Sequence, residues 1–185
     1  MDKKPEILEC KELIKTRLFR VEEMKLRFSN GVERTYERLG RFNDSHQAVM
    51  IVPLVDNNHF LMIREYAAGM EEYQLSLPKG LVDAGETVFE GANRELKEEA
   101  GFGANNWREL TTLSLSPNYM HHTIRVVVAT DLYKERLEGD EPEPLGIETL
   151  SFDQLLELNE RCDFSEARVL AALYLVKDML NNRAL

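Results

Sequence analysis

Glu95, Glu98 and Glu99 crowd three carboxylates into the run Arg94-Glu95-Leu96-Lys97-Glu98-Glu99-Ala100-Gly101-Phe102. On a helix, positions three and four apart share a face, so these side chains repel by about 0.2–0.5 kcal/mol per pair. A cation held between them reverses that penalty. Carboxylate oxygens are hard ligands, and with no His or Cys in the run the matching ion is Mg2+ or Mn2+ rather than Zn2+. A site of that kind acts on phosphate esters or anhydrides. Most Glu-rich helical stretches are solvated faces. Here Gly80 and Glu86 precede the run in register, with five residues between them and seven more before Arg94, which favours the metal site.

The local signals for a helix are strong. Thr87 followed three residues later by Glu90 is a capping box, and Gly101 suits the left-handed conformation at a helix end. The pattern predicts a helix over Val88–Ala100, with Phe89, Ala92, Leu96 and Ala100 on one apolar stripe fit to pack on a sheet. The carboxylates fall beside that stripe.

The rest of the chain supplies the sheet. Met24, Leu26 and Phe28 alternate with polar residues up to Asn30-Gly31, a two-residue hairpin signal, after which Val32 to Arg38 returns as a second strand. Residues 8–40 thus read as a small antiparallel sheet too small to be stable alone. Ala48–Val55 and Phe60–Tyr66 are expected to pair around Asp56-Asn57-Asn58, and the run Val49-Met50-Ile51-Val52-Pro53-Leu54-Val55 fits a strand covered on both faces. Further strands are expected over Leu110–Leu115, Thr123–Asp131 and Ile147–Phe152. Ser151 with Gln154 caps a short helix, and residues 165–181 form a closing helix with Leu170, Leu173, Tyr174 and Met179 buried. Strands before, between and after helices predict a mixed sheet between helical layers, an α/β fold.

A chain of 185 residues with a formal charge of −10 is long enough for one well-buried domain with a small appendage. The expected division is an N-terminal β-hairpin subdomain over 1–42 and a catalytic domain over 43–185. The acidic balance argues against a nucleic-acid partner, because phosphate backbones are bound by clustered Lys and Arg. An anionic substrate remains accessible to an acidic enzyme, since bound metal inverts the local potential. Cys10 and Cys162 have no motif around them and read as buried or incidental thiols. The first ten residues lack the apolar core of a signal peptide and no run approaches a membrane span, which points to the cytoplasm and no membrane partner.

The spacing Gly80, Glu86, Arg94-Glu95-Leu96, Glu98-Glu99, Gly101 resembles the Nudix box at every specified position, and the chain is identified as a member of the Nudix hydrolase superfamily. The resemblance implies the Nudix α/β/α sandwich with a mixed sheet. It implies Glu95 and Glu99 as principal metal ligands, Glu98 as a further ligand or catalytic support, and the Lys79 carbonyl as a backbone ligand. Arg94 and Glu86 pair to fix the loop against the helix, and Gly80 lets the backbone approach the ions. Paired ions clamp the oxygens of an in-line displacement at phosphorus, with water as nucleophile.

Box enzymes differ in which residue activates that water, and the box does not contain it in every subfamily. The acidic loop Glu138–Glu143 is the candidate source here, with a solvated acidic turn as the competing account: Pro142 and Pro144 restrict it, and in similar ADP-ribose pyrophosphatases an acidic loop at this place carries the catalytic Glu. Glu141 is the expected base and Glu143 an added metal ligand. Pro117 lies where members acting on ADP-ribose carry a proline, and an N-terminal hairpin exchanged across a homodimer is a feature of that group. RLF, FSNGVERTYER, IREY, KEEAGFGAN and LEGDEPEPL extend the resemblance to a bacterial branch acting on ADP-containing compounds. The expected substrates are ADP-ribose, diadenosine polyphosphates and NADH, cut to AMP and a second phosphate ester. Phe19 and Tyr36 are placed to sandwich adenine, with ordinary sheet packing as the competing account of both. Arg38 and Arg64 are candidate phosphate or ribose contacts, with surface ion pairs as the alternative. Two other functions compete. A non-catalytic ADP-ribose sensor calls for a degenerate box, and an RNA 5′-end pyrophosphohydrolase calls for basic character.

Overall fold

Buried apolar residues come in uninterrupted runs in the centre of the chain and singly at its start, and the architecture follows that difference. The computed structural model describes residues 3–40 and 47–182. By internal packing they form two compact units: the described residues of Met1–Ser45 with Ser114–Thr123, and those of His46–Leu113 with Ile124–Leu185. The expected boundary at 42/43 lies outside the described residues.

The first unit is a three-stranded antiparallel sheet of β1 (Glu6–Lys15), β2 (Arg20–Arg27) and β3 (Glu33–Leu39), in that spatial order. The β2–β3 connection is longer than the two-residue turn expected. Phe28 N–H bonds Val32 O and Gly31 N–H bonds Phe28 O, at 2.9 Å each, leaving a three-residue loop. Gly31, with φ of +82°, supplies the left-handed residue that such a loop requires. The segment carrying Pro117 belongs to this unit because Leu39 N–H bonds Tyr119 O and His121 N–H bonds Leu39 O.

The second unit is built around β4 (Gln47–Pro53), which has parallel β9 (Thr123–Lys134) on one side and antiparallel β7 (Lys79–Val82) on the other; β8 (Phe102–Ser114) completes the order β7-β4-β9-β8. Met50 and Val52 join one buried cluster with Phe60, Met62 and Leu173, whereas Val49 and Ile51 join another with Ala92, Leu96 and Ala100. Alternation along one strand therefore feeds two cores, with helices α2 (Leu155–Glu160) and α3 (Ala167–Asn181) over the first and α1 (Val88–Glu95) over the second. This is the expected layered α/β/α arrangement with a mixed sheet.

Three local expectations are corrected. The strand β5 (His59–Ala67) does not lie beside β4 in one sheet; it sits in a separate antiparallel sheet, β10 (Gly146–Ser151), β5, β6 (Glu72–Ser76), and the isolated bridge Leu54–Phe60 links the two. Both edges of β4 are already taken by β7 and β9. The box helix is not uniformly α: past Glu95 it widens into one π turn, Leu96–Ala100, and Gly101 closes it at φ +71°. Tyr174, expected in the core, is 42% exposed, whereas Leu173 beside it is fully buried. The cysteines are free and exposed. Among the described residues no helix is long and apolar enough to cross a membrane.

Candidate active site

The box helix begins on the predicted cap. Thr87 Oγ1 accepts from Glu90 N–H, and the Glu90 carboxylate accepts from Thr87 N–H at 2.7 Å. From that fixed start, Arg94 gathers the surrounding acids. Its Nε donates to Glu86 at 3.0 Å, its Nη2 to the Leu81 carbonyl at 2.7 Å, and its Nη1 to both Glu95 (2.9 Å) and Glu98 (3.0 Å). The hydrogen bond from Arg94 holds Glu86 below the usual carboxylate range, and the Asp83 amide adds to it. The expected Arg94–Glu86 pair is present, and it ties the loop before the helix to the helix itself.

Glu99 is the buried acid of the group, and Glu95 is partly buried. Burial pushes Glu95 upward against the opposing effect of Arg94, with the charges of Glu98 and Asp140 adding to the rise. Gly80 leaves the place that this carboxylate occupies: a Cβ there would fall 2.0 Å from the Glu95 carboxyl carbon and displace it. Glu99 is 7% exposed and burial lifts its pKa to about 8, the charge and amide of Lys79 opposing the shift only in part. The Lys79 amide donates to Glu99 at 2.9 Å, whereas its ammonium is drawn to Glu65 on β5. Glu65 was not singled out from sequence. Its partner becomes evident only when β5 and β7 are placed.

Among the described residues, no three His, Cys, Asp or Glu side chains converge as a ready metal cage. Of the expected set, Arg94 Nη1 brings Glu95 and Glu98 together and the Lys79 amide holds Glu99, whereas Glu143 accepts a hydrogen bond from the Tyr73 hydroxyl. The donor chemistry still fits a hard divalent cation. A buried carboxylate raised to about 8 is one whose charge lacks compensation, and the Glu95 carboxylate, which fills the space beside Gly80, stands four residues before it on the same helix.

The acidic loop reaches this helix. A Cβ on Gly139 would lie 3.2 Å from Glu98 Cβ, so the loop backbone passes directly over the box. Glu141 is exposed on this loop. In the N-terminal unit, Phe19 and Tyr36 are half exposed, and Tyr36 lies 6.4 Å from Phe28, ring to ring. Arg38 donates to buried Glu22 at 2.8 Å and Arg64 to Asp163 at 2.6 Å, so both arginines are held by carboxylates. Glu22 and Asp163 were missed from sequence, since nothing distinguishes them from surface acids until strand register sets Glu22 opposite Arg38 and the turn before α3 brings Asp163 to Arg64.

A sandwich whose central strand feeds two cores, with a glutamate-rich helix packed against a strand glycine and locked by one arginine, defines a Nudix hydrolase. The chain belongs to this family: the NUDIX domain profile matches residues 44–173, and that of the NudE-type Nudix hydrolase N-terminal domain matches residues 5–38. It is 51% identical to ADP compounds hydrolase NudE of Escherichia coli (strain K12), over 97% of this chain and 95% of that protein. It is 26% identical to an ADP-ribose pyrophosphatase of Bacillus subtilis (strain 168), over 68% of this chain and 69% of that protein. A crystal structure described as that of an ADP compounds hydrolase superposes with a TM-score of 0.90 at 50% identity, covering 99% of this chain and 97% of that one. Nudix hydrolases are in general divalent-metal dependent.

Proposed function

We propose that this protein is a Mg2+- or Mn2+-dependent pyrophosphohydrolase of ADP-containing metabolites, ADP-ribose, diadenosine polyphosphates and NADH among them, releasing AMP and a second phosphate ester. The observation that carries it is the under-compensated carboxylate of Glu99 one turn from Glu95 on the box helix. The name of the 51% identical relative supports the ADP moiety. A bound divalent cation supplies neutralisation of the diphosphate and an acidified water.

The chain's own residues do the rest. Glu95 and Glu99, with Glu98 and the Lys79 carbonyl, hold the cation. Arg94 keeps Glu95 and Glu98 from swinging away, and Glu86 keeps Arg94 in place. Glu141, on the loop that passes over the box, takes the proton of the attacking water, the work of a general base. Tyr36 and Phe19 offer faces to adenine; Arg38 and Arg64 are contacts for phosphate or ribose, and Pro117 borders the substrate. The working form is a cytoplasmic homodimer: β1 is exposed along most of its length, including Ile7, Leu13 and Ile14, an edge that a second copy would cover.

The test incubates purified protein with each compound and either cation and resolves the products by chromatography. AMP is expected only with the cation present, and labelled water locates the attacked phosphorus. Binding of ADP-ribose without any AMP release, under both ions, would defeat the hydrolase reading. Light scattering on the same preparation should give the dimer mass.

A further inference from the structure

The loop that crosses the box is held from two sides. At its start, Leu137 N–H donates to Lys97 O at 3.3 Å and Glu135 N–H to Gly101 O at 3.1 Å, so the incoming leg is bonded to the backbone of the box helix. At its far side, the Tyr73 hydroxyl donates to the Glu143 carboxylate. Tyr73 stands on β6 directly opposite Tyr66 on β5, and the two rings meet edge to face with centroids 5.5 Å apart. Both rings are half exposed, so this pair adds little to the core. Its placement answers instead to the loop.

We propose that Tyr73 is a positioning residue that clamps the acidic loop across the box helix through Glu143, a role that rests on the reading of this loop as the source of the base. Without the clamp, no hydrogen bond among the described residues ties the chain between Leu137 and Leu145, which packs against the core; with it, the longest untied stretch is 138–142. That shorter span contains Glu141 and passes against Glu98 at Gly139. A group that must meet an attacking water gains from a support whose own rotamer is fixed, and the Tyr66 edge contact fixes the Tyr73 ring.

The experiment is Tyr73→Phe, which removes only the hydroxyl, read by digestion with a glutamate-specific protease and by steady-state kinetics on ADP-ribose with saturating Mg2+. Of the glutamates in the loop, Glu141 and Glu143 precede prolines and resist cleavage, so the Glu138–Gly139 bond reports loop opening. The expected result is faster cleavage at that bond and a kcat lower by about 10- to 100-fold, the cost of a misplaced catalytic group. The melting temperature and KM should be close to wild type. Glu143→Gln keeps an acceptor for the phenol and should leave the loop protected. Unchanged cleavage in Tyr73→Phe overturns the clamp, and an opened loop with unchanged kcat overturns its role in positioning. Glu141→Gln, measured alongside, separates the two failures: full activity there removes the base from Glu141, whatever Tyr73→Phe does to the loop.

Discussion

Glu22 in the N-terminal sheet and Glu99 on the box helix are the two charged side chains buried among the described residues, 4% and 7% exposed, and their surroundings are opposite. Glu22 has two guanidinium partners for one carboxylate, Arg20 Nε at 2.9 Å and Arg38 Nε at 2.8 Å, under a backbone brought close by Gly40. Burial pushes Glu22 up, but the hydrogen bond and charge of Arg38 with the charge of Arg20 outweigh it and leave the carboxyl below its ordinary value. Glu99 instead shares one ammonium, that of Lys79, with Glu65, and rises to about 8. A buried acid with its charge balanced in the fold is a structural fixture. One left short of positive charge marks where a cation or substrate belongs.

The largest effect that tests this contrast is Glu99→Gln. Turnover should fall by two to three orders of magnitude, about 3–4 kcal/mol in the barrier, at saturating Mg2+. The fold should not suffer, because the substitution removes an ill-compensated buried charge. Mg2+ raises the melting temperature of the wild type by mass action, and that rise should be lost in the variant. Full activity in Glu99→Gln would erase the distinction between the two carboxylates.

The second effect is on pH. Glu99 has a folded pKa of about 8 against an ordinary 4.5, so its contribution to stability is complete below 4.5 and is lost as the pH rises through 8. Between pH 6 and 8 the metal-free protein should lose about 2–3 kcal/mol of unfolding free energy, and saturating Mg2+ should flatten that slope. Glu22, with its pKa lowered, has the opposite sign: its contribution is present above 4.5 and is lost as the pH falls through its folded pKa. Urea unfolding across pH, with chelator and with Mg2+, reads both. A flat metal-free profile between pH 6 and 8 would mean that Glu99 is compensated after all.

What the sequence made legible divides along the same line. The box helix, its Thr87 cap, the Gly101 end and the Arg94–Glu86 pair were readable because each depends on residues within about four helical turns, where spacing alone sets geometry. The layered class was readable from the apolar run that β4 became. The partner of β4 was not: β7 is a four-residue strand and β9 lies more than seventy positions away, so the expected hairpin with β5 gave way to a corner between sheets. The π turn at Leu96–Ala100 has no sequence mark of its own. Glu22, Glu65 and Tyr73 were unreadable for one reason, that their meaning lies in partners brought near by the fold and not in their sequence neighbours.

The smallest effect is Glu22→Gln. The amide keeps the shape and one acceptor, so Arg20 and Arg38 lose a counter-charge but not every hydrogen bond, and the cost should be about 1–2 kcal/mol of stability. Because Glu22 holds Arg38 by its Nε, the guanidinium should wander in the variant, and the KM for ADP-ribose should rise if Arg38 touches substrate. The kcat at saturating substrate should stay at the wild-type value, since nothing on the box helix has changed. Thermal unfolding gives the first number and initial rates give the other two. A large fall in kcat with unchanged stability would place Glu22 with Glu99, as a carboxylate of the reaction, and the contrast between paired and unpaired buried acids would no longer separate scaffold from site.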